Sequence, residues 1–249
     1  MRWFRHRGAA PTLDPRQLAD TWQLVSLLLD YPDEQLLERI PSFRSVTATL
    51  PSAQREPLDA YLDHIGSRPL SEIQADYVDT FDVTRKCSLH LTYFTHGDTR
   101  RRGVALVEFR QAFRTCGVEL DIDHELPDHL CVVLEFGALV NQDVAWRLLN
   151  RHRVGIELLR LALAGKDSPW LPVVDTLRST LPVLDGDDRT ALAKLIAEGP
   201  PSEDVGLDTQ PYAMDPRLSE ELNPRPEPLN TADLGPLFIS SDIPVGGPR

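Results

Sequence analysis

The 249-residue chain is short of positive charge: 26 Lys and Arg stand against 38 Asp and Glu, a formal net charge of −12. A nucleic-acid binder gains affinity from clustered cations that neutralise phosphates, so this balance argues against that class and suits a basic or neutral partner. Cysteine is scarce as well. Cys87, Cys116 and Cys131 are an odd number at wide spacing with no CxxC pair, which argues against a disulfide framework and for reduced thiols inside the cell. Long apolar runs are missing. The opening Met1-Arg-Trp-Phe-Arg-His-Arg7 has no apolar stretch behind it for a signal peptide, and Leu27-Leu-Leu29 is far short of a membrane span. A cytoplasmic protein with no direct membrane insertion is expected. No G-x-x-x-x-G-K phosphate loop is present, which weakens a nucleotide-hydrolase reading.

What is present is helical periodicity. Leu18, Trp22, Val25, Leu28 and Leu29 recur at three- and four-residue steps behind Asp14-Pro15, an N-cap followed by a first-turn proline, and Tyr31-Pro32 ends that helix. Leu36, Leu37 and Ile40 mark a second helix stopping at Pro41 or soon after. Pro51 to Ile65 and Leu70 to Phe81 read as a third and a fourth, the latter with Leu70, Ile73, Tyr77 and Phe81 inward. Periodicity resumes with Val104, Leu106, Val107, Phe109 and Phe113, and Pro127 starts a further helix through Leu139. Gln142 to Leu163 reads as one long helix with Arg147, Arg151, Arg153 and Arg160 on its surface. Ser168-Pro169 caps another to about Thr180, and Asp187 to Ala197 gives the last. With no convincing β alternation, the expected fold is all-α: one helical bundle of about eight or nine helices over residues 15–198, after a flexible residues 1–14. About half of the prolines fall after Gly199, so 199–249 is expected to be a proline-rich, loosely held tail.

Polar chemistry concentrates in two stretches. The first runs from Tyr77 to Arg102. Glu72, Asp76, Asp79 and Asp82 recur at helical steps, a like-charge face that calls for open water or a cationic partner. A loop follows, with Cys87, His90 and His96 at a spacing that matches no zinc pattern, so no metal is expected. Asp98 suits an N-cap, yet Arg100, Arg101 and Arg102 then crowd three cations into a helix's first turn, where each costs roughly 0.3–1 kcal/mol. Either Asp76, Asp79 and Asp82 compensate them, or an anionic ligand does. The second stretch, Asp121 to Leu130, gathers His124, Glu125, Asp128 and His129 around Pro127. Acid–base work is conceivable there, although helix capping explains Glu125 and Asp128 more simply.

These residues resemble a known family. Glu125-Leu-Pro-Asp-His129 is similar to the E-x-P-D-H signature of the TorD-like chaperones for molybdenum enzymes, and Tyr77-Val-Asp-Thr-Phe81 to their Y-x-x-x-F helix. The block Ser88 to Gly103 resembles in particular the branch of NarJ-type chaperones of respiratory nitrate reductase. The resemblance spans about Leu18 to Ala197 and implies a TorD-like helical bundle without enzymatic activity. It also implies a client, the apo catalytic α subunit of nitrate reductase, held by its N-terminal segment until the molybdenum cofactor is inserted, with membrane docking delayed meanwhile. Cofactor delivery proteins are implied as further partners, and no cofactor is implied to stay bound. Carried onto this chain, the client-peptide surface comprises Tyr77, Asp79, Phe81, Asp82, Glu125, Pro127, Asp128 and His129. Contacts specific to this client or its cofactor fall on His90, Tyr93, Phe94, His96, Gly97, Asp98, Arg100, Arg101 and Arg102. The competing readings are a chaperone for another molybdoenzyme and a hydrolase using Asp128 and His129.

Overall fold

A computed structural model describes residues 13–97, 100–120, 125–184 and 186–198. Among these, the chain forms twelve α-helices and no strand: α1 (Pro15–Leu28), α2 (Glu34–Glu38), α3 (Ile40–Thr47), α4 (Ser52–Gly66), α5 (Leu70–Tyr77), α6 (Tyr93–His96), α7 (Arg100–Thr115), α8 (Leu130–Leu139), α9 (Gln142–Arg151), α10 (Arg153–Gly165), α11 (Leu171–Ser179) and α12 (Gly186–Glu198). A π turn (Val78–Asp82) continues α5, and a 3-10 turn (Arg85–Cys87) follows it. The all-α expectation holds. The expected terminal tail, Asp98 and His124 lie outside the described residues.

The centre of the body is α1, which packs on α8 and α11. Asp14 caps it as expected, its carboxylate accepting from the Arg16 and Gln17 amides at 2.9 and 3.0 Å. Trp22 is fully buried and donates from Nε1 to Thr180 Oγ1 at 3.0 Å. The backbone of α8 comes so close here that a Cβ on Gly137 would sit 2.6 Å from the Trp22 ring and from Ala145. α11 packs on α4 and on α10, and α10 carries α12.

Several boundaries differ from the sequence reading, each for a local reason. Pro41 opens α3 rather than closing α2, since proline lacks only a donor that the first turn leaves unpaired anyway. The run from Gln142 to Leu163 breaks at His152, and Arg153 is 3% exposed rather than on the surface, ion-paired at 2.8 Å with Glu157, which Arg178 also reaches at 2.9 Å. Pro127 lies before α8, which begins at Leu130 with His129 in the N-cap position and no side-chain cap. α11 begins after Trp170 rather than at a Ser168 cap. In α7, Val104 and Val107, placed inward by their spacing, are 63% and 48% exposed; this helix buries only Ala105, Phe109 and Phe113. These breaks raise the helix number above the eight or nine expected.

Candidate peptide-binding surface

The π turn fixes the first motif. Val83 N–H donates to Val78 C=O at 3.0 Å, a five-residue step that underwinds the helix, so acids three residues apart no longer share a face. Asp76 pairs with Arg68, Asp79 with Lys166 Nζ at 2.8 Å, and Asp82 is exposed. The expectation that these acids compensate the Arg100–Arg102 cluster is therefore corrected: nearer cations take Asp76 and Asp79. Tyr77 is 7% exposed, and its ring packs on Phe81 at 4.7 Å and edge-on to Trp170 at 5.7 Å. Its hydroxyl donates to the Leu29 carbonyl at 3.2 Å. Tyr31, 48% exposed, stands edge-on to Tyr77 at 5.4 Å and carries the aromatic stack outward to solvent.

The second motif is knotted to the histidine loop. The Leu91 amide donates to the Asp128 carbonyl at 3.0 Å and the Leu130 amide to the Leu89 carbonyl at 2.9 Å, forming an isolated antiparallel bridge of His90 with His129. The Asp128 side chain is fully buried. It accepts from Thr92 Oγ1 at 2.6 Å and from the Thr92 amide at 3.2 Å, and lies 3.3 Å from His90 Nδ1. Burial alone pushes this carboxyl up, but hydrogen bonds from His90 and Thr92 and the nearby imidazole outweigh it, and it sits at about 2. Capping is thus not the role of Asp128. It is an ionised anchor that fastens the loop to α8, and with its oxygens occupied it offers no free acid–base partner to His129.

The two motifs meet at an acidic rim. The phenol of Tyr77 is held well above its ordinary value by burial, then by the fields of Cys131, Asp30, Asp82 and Glu125. His129 is pushed down by burial, opposed by Glu125, Asp30 and Asp128. Asp30 and Asp82, both exposed, adjoin the stack as chain neighbours of Tyr31 and Phe81, and exposed Glu125 acts electrostatically on both Tyr77 and His129. Phe81 is half-buried under the stack, whereas Pro127 is buried and Asp79 is turned to Lys166. Asp30 and Tyr31 escaped the sequence reading because Tyr31-Pro32 reads locally as a helix stop.

The residues from His90 onward divide. His90 joins the knot, its ring 5.2 Å from that of His129. Tyr93 and Phe94 are each 7% exposed, and the Arg102 guanidinium lies 6.0 Å from the Tyr93 ring centroid. Gly97 is buried and ends α6, while His96 and Arg101 line a separate pocket of about 530 Å³ with Val104, Glu108, Arg151 and His152. Arg100 is exposed. Cys87 is buried, and among the described residues no three potential metal ligands come together.

This geometry defines a class, a helical bundle with an acidic, aromatic-backed surface. The family model described as nitrate reductase delta subunit matches residues 47–175. The nitrate reductase molybdenum cofactor assembly chaperone NarJ of Escherichia coli (strain K12) is 30% identical over 80% of this chain and 81% of its own length. A protein of Bacillus subtilis (strain 168), named as a probable chaperone of the same kind, is 28% identical over 65% of this chain and 88% of its own. The nitrate reductase-like protein NarX of Mycobacterium tuberculosis is 37% identical over 61% of this chain and 23% of that much longer one. The chain belongs to the nitrate reductase delta subunit family, and the Escherichia coli and Bacillus subtilis relatives are named as assembly chaperones.

Proposed function

We propose that this protein is the cytoplasmic chaperone that holds the apo catalytic subunit of a respiratory nitrate reductase by its N-terminal segment while the molybdenum cofactor is inserted, delaying membrane docking until then. The observation that carries the reading is the Tyr31–Tyr77–Phe81 stack, open to solvent at Tyr31 and adjoined by the exposed acids Asp30 and Asp82. An amphipathic client helix lays its apolar side on the rings, and its basic residues meet the carboxylates. Of the residues carried over with the motifs, Pro127 and Asp128 are buried and support that surface from beneath, whereas Asp79 is exposed and already paired with Lys166. Cofactor chemistry stays with the client and its delivery proteins, and this chain's part is to bind and release.

The test is capture of the client's N-terminal peptide by wild type and by a double variant, Asp82→Lys with Glu125→Lys. Both residues are exposed, so thermal unfolding should be unchanged while affinity drops at least about tenfold, roughly 1.4 kcal/mol. Undiminished binding by the variant would show that the peptide lies elsewhere.

A further inference from the structure

The apolar pattern of α7 is only partly used by the protein's own core. Val104 and Val107 face solvent at 63% and 48% exposure, on the stripe that also holds Arg100, Gln111 and Arg114, all exposed. The charge of this helix opposes that of the chain: Arg100, Arg101, Arg102, Arg110 and Arg114 stand against Glu108 alone, in a protein of net charge −12. Among the described residues, no ion pair engages Arg100, Arg101 or Arg114. Beside the stripe, Arg101, Val104, Ala105 and Glu108, one helical face, form a wall of the 530 Å³ pocket, and Arg151 and His152 line it as well. Glu108 is already neutralised by Arg151 at 2.7 Å, which leaves Arg101 as the uncompensated charge of the pocket.

We propose that the outer face of α7 is a docking surface for an acidic, amphipathic segment of a partner protein, whose apolar side chains cover Val104 and Val107 and one of whose carboxylates enters the pocket beside Arg101. Charge complementarity selects the sign of the partner, because a basic segment would meet the exposed guanidinium groups of Arg100, Arg101 and Arg114 on one helix. The pocket selects a protein over a lipid surface: a flat headgroup layer leaves a concavity of that size unfilled, and the acidic remainder of the chain repels an anionic membrane. The partner's charge is opposite to that expected of the segment at the acidic rim, so two partners of opposite sign can be held at once.

The experiment uses the full chain and a fluorescent probe peptide in which leucine and glutamate follow helical spacing, with a control in which lysine replaces every glutamate. The acidic probe is expected to bind, to weaken as salt rises, and to lose about tenfold in affinity with Arg114→Glu or Val107→Asp. Binding of the client N-terminal peptide, measured in parallel, is expected to be unchanged by Arg114→Glu, so failure here is separable from failure at the acidic rim. Three results would overturn the inference: equal binding of the lysine control, retention of the acidic probe by both variants, or capture of phosphatidylserine vesicles in place of the peptide. Concentration-dependent dimerisation abolished by Arg114→Glu would overturn it too, by making a second copy the occupant.

Discussion

The two family motifs are built by opposite means. Around Tyr77, the rings of Phe81 and Trp170 pack from the protein side and Tyr31 from the solvent side, and position is set by shape. Around Asp128, a buried carboxylate is satisfied by a hydroxyl, an amide and an imidazole, and position is set by charge and hydrogen bonds. The client surface proposed above, if assembled from both, is rigid on one side and dependent on ionisation on the other. Packing tolerates changes of solvent condition, whereas a buried polar cluster fails as a unit once a single member is lost.

The largest expected effect is on the aromatic side. Trp170 is 1% exposed, touches Tyr61, Tyr77 and Phe81, and donates from Nε1 to the Leu28 carbonyl at 3.2 Å. Trp170→Ala should cost about 4 kcal/mol in chemical denaturation, by cavity formation, with little dependence on pH. A loss below about 1 kcal/mol would mean that the rings are not the support described.

On the polar side, Asp128→Asn should cost about 2 kcal/mol at neutral pH. The sign follows from a folded value of about 2, below the ordinary 3.8. Stability from this group is fully present above the unfolded value and is lost as pH falls through the folded one. The difference between wild type and variant should therefore shrink as urea unfolding is followed from pH 6 toward pH 2. A gap independent of pH would assign the cost to packing and erase the contrast between the two sides.

Gly155 gives the smallest and sharpest effect. A Cβ there would lie 2.9 Å from the Leu91 carbonyl oxygen, so Gly155→Ala must push the histidine loop away. Overpacking and the better helix propensity of alanine nearly cancel, leaving a net loss of about 1 kcal/mol. Imidazole NMR signals of His90 and His129 should nevertheless move. Unmoved signals would mean that α10 does not seat the loop.

Those residues also mark what a sequence can say. The amphipathic stripes of α1 and α4 were readable because each rests on spacing within one segment, and the aromatic pair Tyr77 and Phe81 was readable for the same reason, whereas Leu139, at the end of the run read for α8, is exposed. The carboxylate of Asp128 was not: its partners lie 36 and 38 residues away, and a local reading offered capping in their place. Tyr31 and Trp170 join the site only through the packing of α1 and α11. The π turn carries no sequence mark, and it alone changes where Asp79 and Asp82 point. In α7 the periodicity was real, but it did not reveal that Val104 and Val107 would face outward.

The bridge between His90 and His129 also has a topological meaning. It closes the chain on itself, with α6 and α7 strung between its ends. Closing a loop of that length costs chain entropy, which these hydrogen bonds, the buried carboxylate and the burial of Phe109 and Phe113 of α7 together oppose. Loosening the clasp therefore frees the histidine loop first, while α7 stays seated through Phe109 and through Phe113 against Phe136 of α8, so the two ends of this lasso differ in how firmly they are held.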